Sequence, residues 1–205
     1  TGSKNTAVGN QALEANTTGA CNTTVGFCAG HLMTTGATNS AFGTEALQSN
    51  TTASNNTAVG FKSLYANTTG DQSEAFGSCA LVSNTTGCRN VAIGKSAMST
   101  NTEGECNVAV GHTALAANTT GDCNTALGVK ALNTNTTGGT NTAVGFKSLT
   151  ANTTGVCNVA IGFCALAANT TVSGSLAVGA CALLSNTSGT GNTALGQRAL
   201  VCNTT

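Results

Sequence analysis

Gly9, Gly26, Gly43, Gly60, Gly77, Gly94, Gly111, Gly128, Gly145, Gly162, Gly179 and Gly196 recur every seventeen residues along a chain of 205, without one insertion or deletion. No other feature constrains the fold as tightly, because a strict period means one structural unit repeated, with each unit completing its core against its neighbours. Starting at Asn5, the consensus reads N-T-A-V-G-x-x-A-L-x-A-N-T-T-G-x-x. Seventeen residues are too few for a helix pair or a propeller blade, and Gly, Asn, Thr and Val disfavour helix. Short strands punctuated by Gly and Asn remain. The expected fold is therefore all-β: one parallel β-solenoid over residues 1–205, twelve coils of seventeen residues, with no cap at either end. Stacking at the strand spacing of roughly 4.8 Å makes twelve coils a rod on the order of 58 Å long.

In such a stack, equivalent residues form columns, numbered here from the recurrent glycine as position 0. Position −1 is apolar throughout (Val8, Val25, Phe42, Val59, Phe76, Ile93 and onward), and position +4 is Leu or Met everywhere except Gly30. These two columns are the expected core. Ala at −2 is broken only by Thr24, and +3 is always Ala or Ser, so both must face something close. Either a narrow coil cross-section or a flat face against another chain meets that need. Gly at 0 and +10 is expected to supply backbone closed to other residues. Charges gather at +2 (Glu45, Lys62, Lys130, Lys147, Arg198) and +11 (Asp71, Glu105, Asp122), which are the expected solvent columns.

Asn recurs at −4 and again at +7, where stacked amides bond coil to coil and satisfy turn backbone. Asn16, Asn50, Asn67, Asn84, Asn118, Asn152, Asn169 and Asn186 also head Asn-x-Thr/Ser sequons open to glycans in a secretory pathway. Asn101-Thr102-Glu103 keeps the Asn and loses the sequon, so the ladder is the stronger reading. Thr fills +8 in all twelve coils. An outward file of it, through Thr17, Thr68, Thr119 and Thr153, would order water as ice-binding solenoids do.

The block N-T-A-V-G-x-x-A-L, with variants Asn90–Gly94 and Asn107–Gly111, resembles the head repeats of trimeric autotransporter adhesins. It is also similar to repeats of some phage tail-fibre proteins. The resemblance covers all twelve units and implies a left-handed β-roll, an extracellular location and trimerisation through the small-residue face. This chain differs in its longer coils and its ten cysteines.

Ten Cys among so few charges point to an oxidising, extracellular setting. Cys28, Cys79, Cys164 and Cys181 fall at +2 and Cys21, Cys106, Cys123 and Cys157 at +12, both surface columns; Cys88 and Cys202 fall elsewhere. Disulfide staples are expected. Cys106 and Cys123 share a column one coil apart, and Cys21/Cys28 and Cys157/Cys164 recur in the frame C-N-x-x-x-G-F-C. Nearest-neighbour pairing adds Cys79/Cys88 and Cys181/Cys202, with free thiols and interchain links as the alternatives.

Seven basic residues against seven acidic ones leave no footprint for nucleic acid, and no apolar run is long enough for a membrane span. Catalysis needs unlike groups converging in a pocket, whereas identical coils present columns of like groups. No enzyme, cofactor or metal site is expected, since His31 and His112 lie five coils apart in different columns. The leading expectation is a structural segment of an extracellular fibre. Its partners are copies of itself, stacked end to end because Thr1 and Thr205 share one phase of the repeat, and joined laterally or as trimers, with glycans as further candidates. An ice-binding solenoid, or an adhesin head or tail-fibre shaft, is the alternative.

Overall fold

Residues 2–205 are described by a computed structural model. Twelve strands of three residues each, from β1 (Thr6–Val8) and β2 (Thr23–Val25) through β8 (Thr125–Leu127) and β9 (Thr142–Val144) to β12 (Thr193–Leu195), form one parallel sheet in sequence order. Register is uniform: Thr125 lies opposite Thr142, Ala126 opposite Ala143 and Leu127 opposite Val144, seventeen residues apart. This is the parallel β-solenoid that the period dictates.

Both strand and turn positions bind neighbouring coils. In the eighth coil the amides of Thr125, Leu132 and Thr136 donate forward to Asn141, Ser148 and Thr153 at 2.8, 3.0 and 2.9 Å. Those of Gly128 and Lys130 donate backward to Val110 and His112 at 2.8 and 3.1 Å. Most of the coil is thus ladder, although only three residues of it are regular strand.

Each strand ends at the position 0 glycine, whose φ lies between +119° and +138°, a region that only glycine occupies freely. The following turn holds a less expected feature. Positions +2, +4 and +12 take left-handed backbone in residues that are mostly not glycine, as at Lys130 (φ 60°), Leu132 (φ 49°) and Cys123 (φ 57°). Left-handed conformation costs an L-residue about 1–2 kcal/mol, so the ladder bonds and the buried leucine column must outweigh three such corners per coil. The +10 glycines serve another purpose. Their φ is not left-handed, and Ala53 and Val172 occupy the position in two coils, so conformation is not the constraint. A Cβ on Gly104 would come within 2.6 Å of the Gly121 carbonyl oxygen, so successive coils approach closely here and glycine fits best, while Ala53 and Val172 show that the position can admit a Cβ.

The core consists of Ala at −2, Ala or Ser at +3, and Leu or Met at +4, with Ala126, Ala131 and Leu132 wholly buried in the eighth coil. The −1 column does not belong to it. Val8, Phe42, Ile93, Leu127 and Leu195 are 57, 41, 42, 46 and 67% exposed. Side chains alternate along a strand, so a middle residue pointing inward turns both its neighbours outward. Only a small side chain fits the narrow interior at −2, and this reverses the expectation that the larger apolar residue faces in. The small columns reflect a narrow cross-section and are not a face against another chain.

The second coil shows how the core absorbs a departure. Thr24 replaces Ala, Gly30 replaces Leu and Met33 replaces Asn, and Met33 is wholly buried. A Cβ on Gly30 would meet the Thr24 methyl at 2.9 Å and the Met33 Cε at 3.4 Å, so these two side chains fill the volume of the absent leucine.

Leu127 and Leu132 make a direct test of the columns. Leu132→Ala is expected to cost about 2–5 kcal/mol of unfolding free energy. Leu127→Ala, with nearly half its surface already in water, should cost about 1 kcal/mol. Lys130→Ala, exposed between them, should cost under about 0.5 kcal/mol. Denaturant unfolding of the three variants checks the order, and equal losses for the two leucines would contradict the assignment.

Candidate functional site

Two asparagine ladders run inside the coil along one edge of the core. In the −4 ladder, Asn124 Oδ1 accepts from the Asn141 amide at 3.0 Å and from its Nδ2 at 3.2 Å, while Asn124 Nδ2 donates to the Gly138 carbonyl at 2.9 Å. In the +7 ladder, Asn118 Nδ2 donates to Asn101 Oδ1 and to the Gly121 carbonyl at 2.8 and 2.9 Å, and Asn118 Oδ1 accepts from Asn135 Nδ2 at 2.9 Å. Both ladders meet at one carbonyl per coil: Gly138 O accepts from Asn124 Nδ2 and, at 2.8 Å, from Asn135 Nδ2.

This settles where the sequon asparagines lie. Asn50, Asn67, Asn84, Asn118, Asn152, Asn169 and Asn186 are wholly buried, and Asn16 is half-buried beside the first coil. Their Nδ2 atoms, the atoms a glycan would modify, donate to the +10 carbonyl, as Asn16 does to Gly19 at 3.1 Å and Asn186 to Gly189 at 2.9 Å. Where the ladder breaks, an acceptor is orphaned. Met33 offers no donor, and Asn16 Oδ1 is without a partner.

The +8 threonines are also occupied. Thr17, Thr68, Thr119 and Thr153 donate their hydroxyls to the next coil's carbonyl, to Thr34, Thr85, Thr136 and Thr170, at 3.0, 3.0, 3.1 and 3.0 Å. They staple coil to coil and do not form a free hydroxyl array. The outward threonines are instead at +9, and at −3 in part, where Glu74, Val91, Val108, Val159 and Leu176 interrupt the file. Burial raises the pKa of Glu74 above the ordinary carboxylate range.

All ten cysteines are free, so the structure does not support the expected staples at Cys21/Cys28, Cys79/Cys88, Cys106/Cys123, Cys157/Cys164 and Cys181/Cys202. Neighbours within a column stand side by side at the strand spacing of roughly 4.8 Å, with parallel Cα–Cβ directions, whereas a disulfide draws its Cβ atoms to about 3.5–4.5 Å. Cys21 and Cys157 sit at the +12 corner, and Cys28 and Cys164 at the +2 corner. Cys21, Cys106, Cys123, Cys157 and Cys202 are exposed, Cys79, Cys88, Cys164 and Cys181 half-buried. Cys28 is buried, its thiol donating to Gln11 Oε1 at 3.2 Å. Burial, then the charges of Glu45 and Glu14, push the Cys28 thiol up.

The surface feature that the periodicity did not reveal is an apolar ridge. Outward −1 residues run beside the +1 column, where Phe27, Phe61, Val129, Phe146 and Phe163 are each exposed. Phe146 and Phe163 stack at 5.6 Å between ring centroids, with Lys147 Nζ 5.3 Å from the Phe146 centroid. The signal was present in the alternation T-A-V, which leaves one inward residue per strand. Elsewhere the surface carries scattered ion pairs such as Lys62–Glu45 at 3.3 Å and Arg89–Glu105 at 2.6 Å. Among the described residues no pocket opens, no three His, Cys, Asp or Glu side chains gather, and no helix is long and apolar enough to cross a membrane. No protein-family model, curated protein or solved structure matches the chain.

Proposed function

We propose that this chain is a structural, non-catalytic rod that forms part of an extracellular fibre. The observation that carries the reading is the uniform register of twelve coils, each bonded to its neighbours through backbone, asparagine ladders and threonine hydroxyls. Such a stack gains length and stiffness with each added coil. The extracellular placement rests on the resemblance to adhesin and tail-fibre repeats, because free thiols withdraw the argument from disulfides.

The partner is a second copy of the chain, seated on the apolar ridge. Eleven strand spacings by the three residues from −1 to +1 give on the order of 500 Å² per partner, smaller than the roughly 800 Å² of a standard interface and in keeping with contacts that gain strength by repetition along a bundle. The wholly buried alanine columns cannot serve as that face.

Negative-stain microscopy, with freezing hysteresis measured on the same sample, tests this reading. Uniform filaments or bundles without hysteresis are expected. The double variant Ile93→Lys/Leu127→Lys, which places charge on the ridge, should release lateral association and leave the far-UV spectrum unchanged. Discrete rods of roughly 58 Å that depress freezing would contradict the fibre and favour an ice-binding solenoid.

A further inference from the structure

Two cysteine pairs occupy a geometry unlike that of the other six thiols. Cys106 and Cys123 are consecutive members of the +12 column, and Cys164 and Cys181 of the +2 column. Within each pair the backbone is the same, with φ 56° and 57° in the first and 52° and 57° in the second. The ladder bonds match too. The Cys106 and Cys123 amides donate to Cys88 and Glu105 at 3.1 and 3.0 Å, and those of Cys164 and Cys181 to Phe146 and Phe163 at 3.0 and 2.8 Å. Each pair therefore directs its two Cα–Cβ bonds the same way, one coil apart.

That spacing is too wide for the Cβ atoms of an unstrained disulfide, yet it suits another bond. A metal–thiolate bond is about 2.3 Å, so two in line span about 4.6 Å, against a coil spacing of roughly 4.8 Å. A linear S–M–S unit bridges neighbouring coils without moving the backbone. Zinc requires four ligands, and no third His, Cys, Asp or Glu joins either pair to begin such a set. Soft d10 cations that accept two thiolates remain, and copper(I) is the common one.

Charge favours the second pair over the first. Binding releases two thiol protons to solvent and leaves a bis-thiolate copper(I) unit with one net negative charge. Arg89 precedes Cys106 by one coil in the same column, while Lys147 and Arg198 bracket Cys164 and Cys181. Glu105, paired with Arg89, and Asp122, next to Cys123, act in the opposite sense. The thiols sense each other: burial and then the neighbouring Cys106 raise Cys123, and burial and then Cys181 raise Cys164, with Lys147 lowering it. A cation between the thiols relieves that repulsion.

We propose that Cys106 with Cys123, and Cys164 with Cys181, are two-coordinate sites for copper(I), each bridging adjacent coils. This inference does not depend on the fibre reading. Anaerobic titration of the full chain with copper(I) in acetonitrile-containing buffer, against a colorimetric copper(I) chelator, should show two tight equivalents per chain. X-ray absorption should show two sulfur neighbours per copper. Cys123→Ser and Cys181→Ser should each lose one equivalent, or weaken it at least tenfold, with the far-UV spectrum unchanged. Cys21→Ser and Cys202→Ser should keep both. Full uptake by the Cys123→Ser/Cys181→Ser double variant, three or more sulfur neighbours per copper, or copper-dependent dimers in place of loaded monomers would overturn the proposal.

Discussion

Asn118→Ala should lower the unfolding free energy by about 3–5 kcal/mol, as much as the loss of a core leucine, although it removes only a polar side chain. The substitution leaves Asn101 Oδ1 without its donor at 2.8 Å, takes from Asn135 Nδ2 its bond at 2.9 Å, and vacates a wholly buried site. Each buried polar atom left unpaired costs about 1–3 kcal/mol, and bulk water does not reach the buried ladder to replace the lost amide. Asn135 Nδ2 keeps the Gly138 carbonyl and Gly121 O keeps Asn107 Nδ2 at 2.9 Å, which holds the loss below that of a wholly orphaned network. Asp at the same position should be worse than Ala, because it brings a buried carboxylate beside Asn101 Oδ1. Urea unfolding of Asn118→Ala and Asn118→Asp against the parent measures both effects. A loss under about 1 kcal/mol for Ala would mean that the ladder is an ornament of the backbone stack and no part of its stability.

The ladder was readable in the sequence because asparagine at −4 and +7 persists where the residues around it vary. The leucine column at +4 was readable too, and with it the all-β solenoid, since one period fixes which residues stack. Apolar character at −1 misleads, because an apolar residue in a solenoid is usually buried and here it is not. Phe42 and Ile93 are larger than the interior admits, and Ala41 and Ala92, one residue earlier, are the buried partners. The left-handed corners at Lys130, Leu132 and Cys123 gave no warning, because none carries the glycine that usually marks such backbone. The cysteines misled for a geometric reason: a column brings two Cα atoms within reach of a disulfide, while parallel register keeps their Cβ atoms apart. Among the candidate residues, the sequon asparagines and +8 threonines form regular files. Their occupation by internal hydrogen bonds depends on where the coil turns, which periodicity alone does not fix.

The central claim is that seventeen residues are the indivisible unit of this fold, and a pair of deletions differing by one residue tests it. Removing residues 124–140 joins Cys123 to Asn141, so every column continues unbroken and the rod shortens by one coil. Removing residues 124–141 joins Cys123 to Thr142 and shifts every later residue by one place. Phe146 then falls where the backbone demands glycine, Val144 falls in the alanine column and Thr150 in the leucine column. A one-residue slip turns every side chain of a strand to the other face. Melting by circular dichroism should place the first deletion within about 3 °C of the parent. The second should fall by about 10 °C or more, given about 2–4 °C per kcal/mol for a chain of this size. Small-angle scattering of the first should show a rod shorter by roughly 4.8 Å with an unchanged cross-section. Equal melting of the two deletions, whether both stable or both unfolded, would contradict the account.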